Sequence, residues 1–189
     1  MTQQAETLSD TEIARIARRI DRPVVLVGLM GAGKSTVGRK LAALLGKDFV
    51  DADDAIEDAA QMRVAEIFDR FGEDYFRDGE RRVLARLIDE GHGVVATGGG
   101  AFVNDETRAL ILERAIAVWI DCKVDTLVER TARRNVRPLL RDGDPREILT
   151  RLSREREPFY AQAPIRIAGE DGPHLDTAMA IIEAIDRWL

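Results

Sequence analysis

The chain has 189 residues, 45% hydrophobic and 33% charged, which fits one globular domain with a sizeable core and excludes a wholly disordered chain or a minimal disulfide-stapled scaffold. With 28 Lys and Arg against 34 Asp and Glu the net charge is −6, so no global basic field exists to hold a nucleic-acid backbone. The single cysteine, Cys122, excludes an internal disulfide or a thiolate zinc site, and its expected place is a small buried or half-buried position.

The opening stretch MTQQAETLSD is polar and lacks the basic-then-apolar order of a secretory signal. No apolar run approaches the ~20 residues of a membrane span. The expectation is a cytoplasmic protein. Ser9 and Glu12 have capping-box spacing, and Ile13, Ile16, Ala17 and Ile20 follow at helical intervals. Pro23 resets the backbone to extended structure. Residues 24–29 form a compact apolar strand run, punctuated by Gly28, Gly31 and Gly33, and a helix pattern over 34–45 ends at Gly46.

Phe49 and Val50 read as a short strand closed by Asp51, Ala52, Asp53 and Asp54. A mostly helical stretch spans about 54–89, with a break expected near Gly72. Strands follow at 94–97, 115–120 and 165–168, and helices at 107–114, 124–133, 145–161 and 175–189. The basic, poorly periodic segment 133–144 reads as a mobile loop. Alternating strands and helices imply one α/β domain with a parallel sheet covered on both faces, and ligands at the carboxyl ends of its strands.

Gly28-Leu29-Met30-Gly31-Ala32-Gly33-Lys34-Ser35 matches G-x-x-x-x-G-K-[ST] between a buried strand and a helix. In that pattern glycines let main-chain N–H groups converge on an anion, and the helix adds its partly positive N-terminus. Lys34 can bridge the β- and γ-phosphates, Ser35 offers a hydroxyl to Mg²⁺, and Thr36 supports an α-phosphate oxygen. The bland alternative is a glycine-rich turn with an exposed lysine.

Other residues bear on the acceptor. If Asp51 and Asp53 continue the strand, both face one side and approach the loop, one toward a metal shell and one as proton acceptor. The competing reading makes Asp53 or Asp54 a helix cap. Gly98, Gly99 and Gly100 either admit a ligand to the main chain or form a tight strand-end turn. Arg77, Arg130, Arg137 and Arg156 suit carboxylates and phosphates, while each alone reads as easily as a solvated ion pair, Arg77 with Glu80 for example.

The joint pattern resembles the shikimate kinases. It comprises residues 28–36, Asp51 with Asp53, Phe76-Arg77 with Glu80, the triple glycine, Arg137-Pro138-Leu139-Leu140, and Arg156 before Pro158 and Tyr160. The resemblance runs from Pro23 to the C-terminal helix. It implies a three-layer α/β sandwich with a five-stranded parallel sheet, the P-loop nucleoside-triphosphate-hydrolase fold in its nucleoside-monophosphate-kinase arrangement. It also implies a division into an N-terminal extension over 1–22 and one kinase domain over 23–189, with substrate-binding helices at about 51–83 and a lid at about 131–143.

The activity so implied is transfer of the γ-phosphate of ATP to the 3-hydroxyl of shikimate, with Mg²⁺, in aromatic amino-acid biosynthesis. The acidic balance and the lack of an aromatic binding stripe argue against a nucleic-acid partner and the lack of a long apolar run against a membrane, and the expectation is a monomer. Lys34, Asp53 and Arg137 would carry the chemistry, with Asp53 binding ring hydroxyls and taking the proton. Gly31, Ala32, Gly33, Lys34, Ser35, Thr36, Arg130 and Arg137 would hold the nucleotide, Arg130 beside adenine. Arg77 and Arg156 would hold the shikimate carboxylate, with Gly98, Gly99, Gly100, Phe68 and Phe76 around the ring. Ser35 would bind the metal directly and Asp51 through its water shell. The competing expectations are another small-metabolite kinase, such as a gluconate-type kinase, against which the Arg77 and Arg156 pair is read as the anchor of a cyclic carboxylate, a nucleotide-binding regulator without turnover, and a nucleic-acid-dependent ATPase.

Overall fold

The computed structural model describes residues 7–133, 140, 142–169 and 171–189. Five strands, β1 (Val24–Val27), β2 (Phe49–Asp51), β3 (Val94–Ala96), β4 (Ile116–Cys122) and β5 (Ile165–Gly169), form one sheet in the order β2-β3-β1-β4-β5. All pairings are parallel, with Val24 opposite both Val94 and Ile116. Helices cover both faces, so β1 and β3 are buried at every position and read as continuous apolar runs. The edge strand β5 alternates between buried and exposed positions.

The helices are α1 (Asp10–Arg19), α2 (Lys34–Leu45), α3 (Ala52–Ala60), α4 (Val64–Asp89), α5 (Asp105–Arg114), α6 (Val124–Ala132), α7 (Pro145–Tyr160) and α8 (His174–Trp188). The capping box of Ser9 and Glu12 forms as the spacing predicts. Gly46 ends α2 in the left-handed conformation. Ile13, Ile16 and Ile20 join the main core, and α1 packs against α2 and α8. Cys122 is buried, its thiol 3.6 Å from the Ala32 carbonyl.

The long stretch 54–89 is where the structure departs most from the sequence reading. Helix α3 starts at Ala52 and stops at Gln61, a non-glycine residue with φ 51°, and no Gly or Pro marks that break. The expected interruption at Gly72 is present as a kink inside α4, with φ 83°. Helix α5 begins two residues early because the Asn104 side chain caps it, after a 3-10 turn over Ala101–Val103. Most of the segment 133–144 lies outside the described residues.

Candidate active site

The loop from β1 to α2 builds the first half of the site. Gly28 has φ 143°, and a Cβ there would lie 2.6 Å from the Ile120 carbonyl oxygen, so the turn passes close against β4. Gly33 is the left-handed N-cap of α2 and makes no side-chain cap bond. The first-turn amides of α2 therefore have no capping side chain and can serve an anion. Lys34 is largely buried, and its Nζ donates to the carbonyls of Gly28 at 2.7 Å and Leu29 at 2.8 Å. An ammonium held this way is stored against its own loop.

The two aspartates reach the same cavity by a route the sequence did not indicate. Asp51 ends β2 and is itself the N-cap of α3, accepting from the Asp53 amide at 2.9 Å, while Asp53 stands in the first turn of that helix. They do not share an extended segment, and neither Asp53 nor Asp54 is the cap. The Asp51 carboxylate also accepts from Ser35 Oγ at 2.5 Å. This pairs two hard oxygen donors at the start of α2, a donor set that suits Mg²⁺, which keeps waters and takes phosphate oxygens besides one or two protein groups. Among the described residues no cluster of three or more His, Cys, Asp or Glu side chains could hold a metal ion alone. A metal here would thus draw most of its shell from nucleotide and water.

Gly31, Gly33, Lys34, Ser35, Thr36, Asp51, Asp53, Gly98, Gly99 and Arg130 line one cavity of about 290 Å³, joined by Thr97, Arg133 and His174. Ala32 is buried, and its carbonyl accepts from Arg130 Nη1 at 3.3 Å. Arg130 thus lies along the loop it would help load. Arg133 at the end of α6 pairs with Glu129. Arg137 lies outside the described residues.

Arg77, Gly100 and Arg156 line a second cavity of about 560 Å³. The glycine turn is the wall between the two cavities, Gly98 and Gly99 facing one and Gly100 the other. A Cβ on Gly99 would meet Arg156 Nη1 at 3.2 Å and the Met30 amide at 3.4 Å, and one on Gly100 would collide with the Arg77 guanidinium. The absent side chains leave room for two arginines to lie against the backbone. Arg156 Nη1 is buried without a hydrogen-bond partner, a costly state that an incoming anion would relieve. Phe68 and Phe76 line neither cavity. Their ring centres lie 4.5 Å apart with the planes tilted by 35°, and the Arg77 guanidinium lies 5.1 Å from the Phe76 ring centre.

Glu80 and Tyr160 support this wall, and the sequence did not single out either as more than part of a pattern. Arg77 Nη1 donates to Glu80 Oε1 at 2.6 Å, and Glu80 is only 1% exposed. Burial pushes its carboxyl up to about 7; Arg77 and Arg156 pull it back, and Asp53 adds to the rise. The Tyr160 hydroxyl donates to the Gly99 carbonyl from a buried ring packed near Trp119. His174 was missed altogether, although it opens α8 just past the last strand, where parallel sheets place ligands.

A model of the shikimate kinase family matches residues 30–186. The shikimate kinase of Novosphingobium aromaticivorans is 62% identical over 193 residues, covering 100% of both chains. That of Rhodopseudomonas palustris is 50% identical over 181 residues, covering 96% of this chain and 89% of the relative. Among solved structures, the shikimate kinase from Acinetobacter baumannii in complex with shikimate superposes with a TM-score of 0.84 at 38% identity, covering 88% of this chain and 93% of the other. Phosphate loop, glycine wall and paired arginines stand on a fold shared with these enzymes, and the chain belongs to the shikimate kinase family.

Proposed function

We infer that this protein phosphorylates the 3-hydroxyl of shikimate with ATP, giving shikimate 3-phosphate and ADP. The observation that carries the reading is the shared glycine wall, with a phosphate loop and Asp53 on one side and Arg77 with a partnerless Arg156 nitrogen on the other. A carboxylate anchored by two guanidinium groups would let the ring reach past the glycine turn, so that its 3-hydroxyl meets the γ-phosphate directly on the Asp53 side. Gluconate also carries a carboxylate, so it is the match to the shikimate kinase family over residues 30–186 that favours the cyclic acceptor.

In the reaction the 3-hydroxyl oxygen attacks the γ-phosphorus, the bond from that phosphorus to the β,γ-bridging oxygen breaks, and the hydroxyl proton passes to the Asp53 carboxylate. Positioning and charge stabilisation dominate such transfers. The α2 amides and Lys34 hold the phosphate chain, Lys34 exchanging the Gly28 and Leu29 carbonyls for phosphate oxygens. Ser35 and Asp51 would hold Mg²⁺, which when bound screens the phosphate charge. Glu80 keeps the Arg77 guanidinium aimed at the acceptor. Arg130 flanks the nucleotide, and Arg137, in the segment read as a lid over 131–143, adds positive charge at the transferring group. Phe68 and Phe76 act from beneath, as the apolar floor under Arg77.

Among the described residues no helix is long and apolar enough to cross a membrane. On the resemblance to the family we read the enzyme as a cytoplasmic monomer with no nucleic-acid partner, a reading the net charge of −6 supports. The decisive experiment is a coupled ATP assay with shikimate and gluconate in parallel, followed by NMR assignment of the phosphorylated hydroxyl. Turnover on shikimate alone, at the 3-position, is the expected result; turnover on gluconate or phosphorylation elsewhere on the ring would refute the reading.

A further inference from the structure

We propose that His174 is a nucleotide-binding residue of this enzyme, its imidazole hydrogen-bonding the phosphate chain held by the loop at residues 31–36. The proposal rests on the reading of that loop as the ATP site and extends it to a side chain from the opposite end of the chain. His174 is the first residue of α8, following the carboxyl end of β5. Its ring lies over the glycine that starts α2. A Cβ on Gly33 would come within 3.1 Å of His174 Cε1, 3.3 Å of its Nδ1 and 3.4 Å of Arg130 Nη1. Imidazole and guanidinium therefore roof the point where the α2 amides begin. The ring lines the same cavity as Lys34, Ser35 and Thr36.

The surroundings give this placement a chemical consequence. Arg130 faces the cavity from α6, Arg133 from the cap that follows it, Lys34 from α2, Asp51 from the end of β2 and Asp53 from α3. Burial, and then the charges of Arg130 and of Lys40 on α2, hold the ring's pKa below the ordinary histidine value. Asp176 stands two residues on, in the same first turn of α8. The lowered pKa favours the neutral ring in the nucleotide-free protein. A polyphosphate in the loop reverses the local field and favours the imidazolium, which can then donate a charge-assisted hydrogen bond. Binding should draw a proton from the buffer.

Calorimetric titration with ADP at pH 7, in two buffers of different ionisation enthalpy, tests this. The proteins are the wild type, His174→Gln, and His92→Gln as control for the chain's other histidine. His174→Gln should weaken ADP binding about tenfold, the worth of one charge-assisted hydrogen bond, and should lower the buffer-dependent proton uptake relative to wild type. His92→Gln should change neither, and the affinity of His174→Gln for shikimate should stay within about twofold. Unchanged ADP affinity overturns the proposal, as does weakened affinity with unaltered proton uptake, which would mark a packing role only. In both cases wild-type binding leaves the phosphate-loop reading standing. Failure of the wild type to bind ADP would remove that reading and this one together.

Discussion

Single side chains at this site are governed by what burial does to charge. Lys34 is held by two loop carbonyls, so its replacement by alanine removes a cation without opening the core. Lys34→Ala should lower phosphoryl transfer by about 10²–10³-fold, the usual cost of losing one transition-state donor, with an unchanged circular dichroism spectrum; near-normal turnover would take Lys34 out of the mechanism. Glu80 makes a prediction about pH. Its folded pKa of about 7 lies above the ordinary 4.5. Between those values the native state binds more protons than the unfolded chain, so stability falls as pH rises through that window. Denaturant midpoints of the wild type should drop from pH 5 to pH 8, and Glu80→Gln should lack that component. Parallel slopes in the two proteins would mean the buried carboxyl is not the source.

Elements here act by where they end. Strands β1, β2, β3 and β5 deliver their carboxyl ends to the phosphate loop, Asp51, the glycine wall and the approach to α8. The wall is the sensitive element, because its glycines make room for side chains and Gly100 itself has an ordinary backbone conformation, with φ −94°. In Gly100→Ala the new methyl would displace the flexible end of Arg77. The expected result is a raised KM for shikimate with the KM for ATP nearly unchanged and a melting temperature within a few degrees of wild type. An equal rise in both KM values would place the damage in the whole site. Helix α3 owes its position to Asp51, which caps it while bonding Ser35, so one carboxylate ties β2, α3 and α2 at the loop.

At the scale of the molecule, α1 tests how far the fold extends beyond the catalytic elements. The family match begins at residue 30, yet Ile16 on α1 is fully buried in the main core. Ile16→Ala should cost about 2–5 kcal/mol and shift the single unfolding transition as a whole. A main transition that keeps its midpoint while a small early phase appears would make α1 a separable appendage. Its ion pairs, from Arg15 and Arg19 to Asp186 of α8, are largely exposed and add little to that sum.

The sequence by itself determined the α/β class, the strand–loop–helix of the phosphate site and α2 to its last residue, because these depend on local pattern: apolar runs, glycine spacing and a capping residue. The resemblance drawn from residues 28–36, the triple glycine and the scattered arginines also sufficed for the family. Only the tertiary structure decided that Asp51 caps α3, that Glu80 is buried between Arg77 and Asp53, that the glycine wall divides two cavities, and that His174 closes over Gly33. Each of these depends on burial and on contacts between residues far apart in the chain. Neither has a local signal, since a carboxylate or an imidazole looks the same in sequence whether it meets water or a guanidinium.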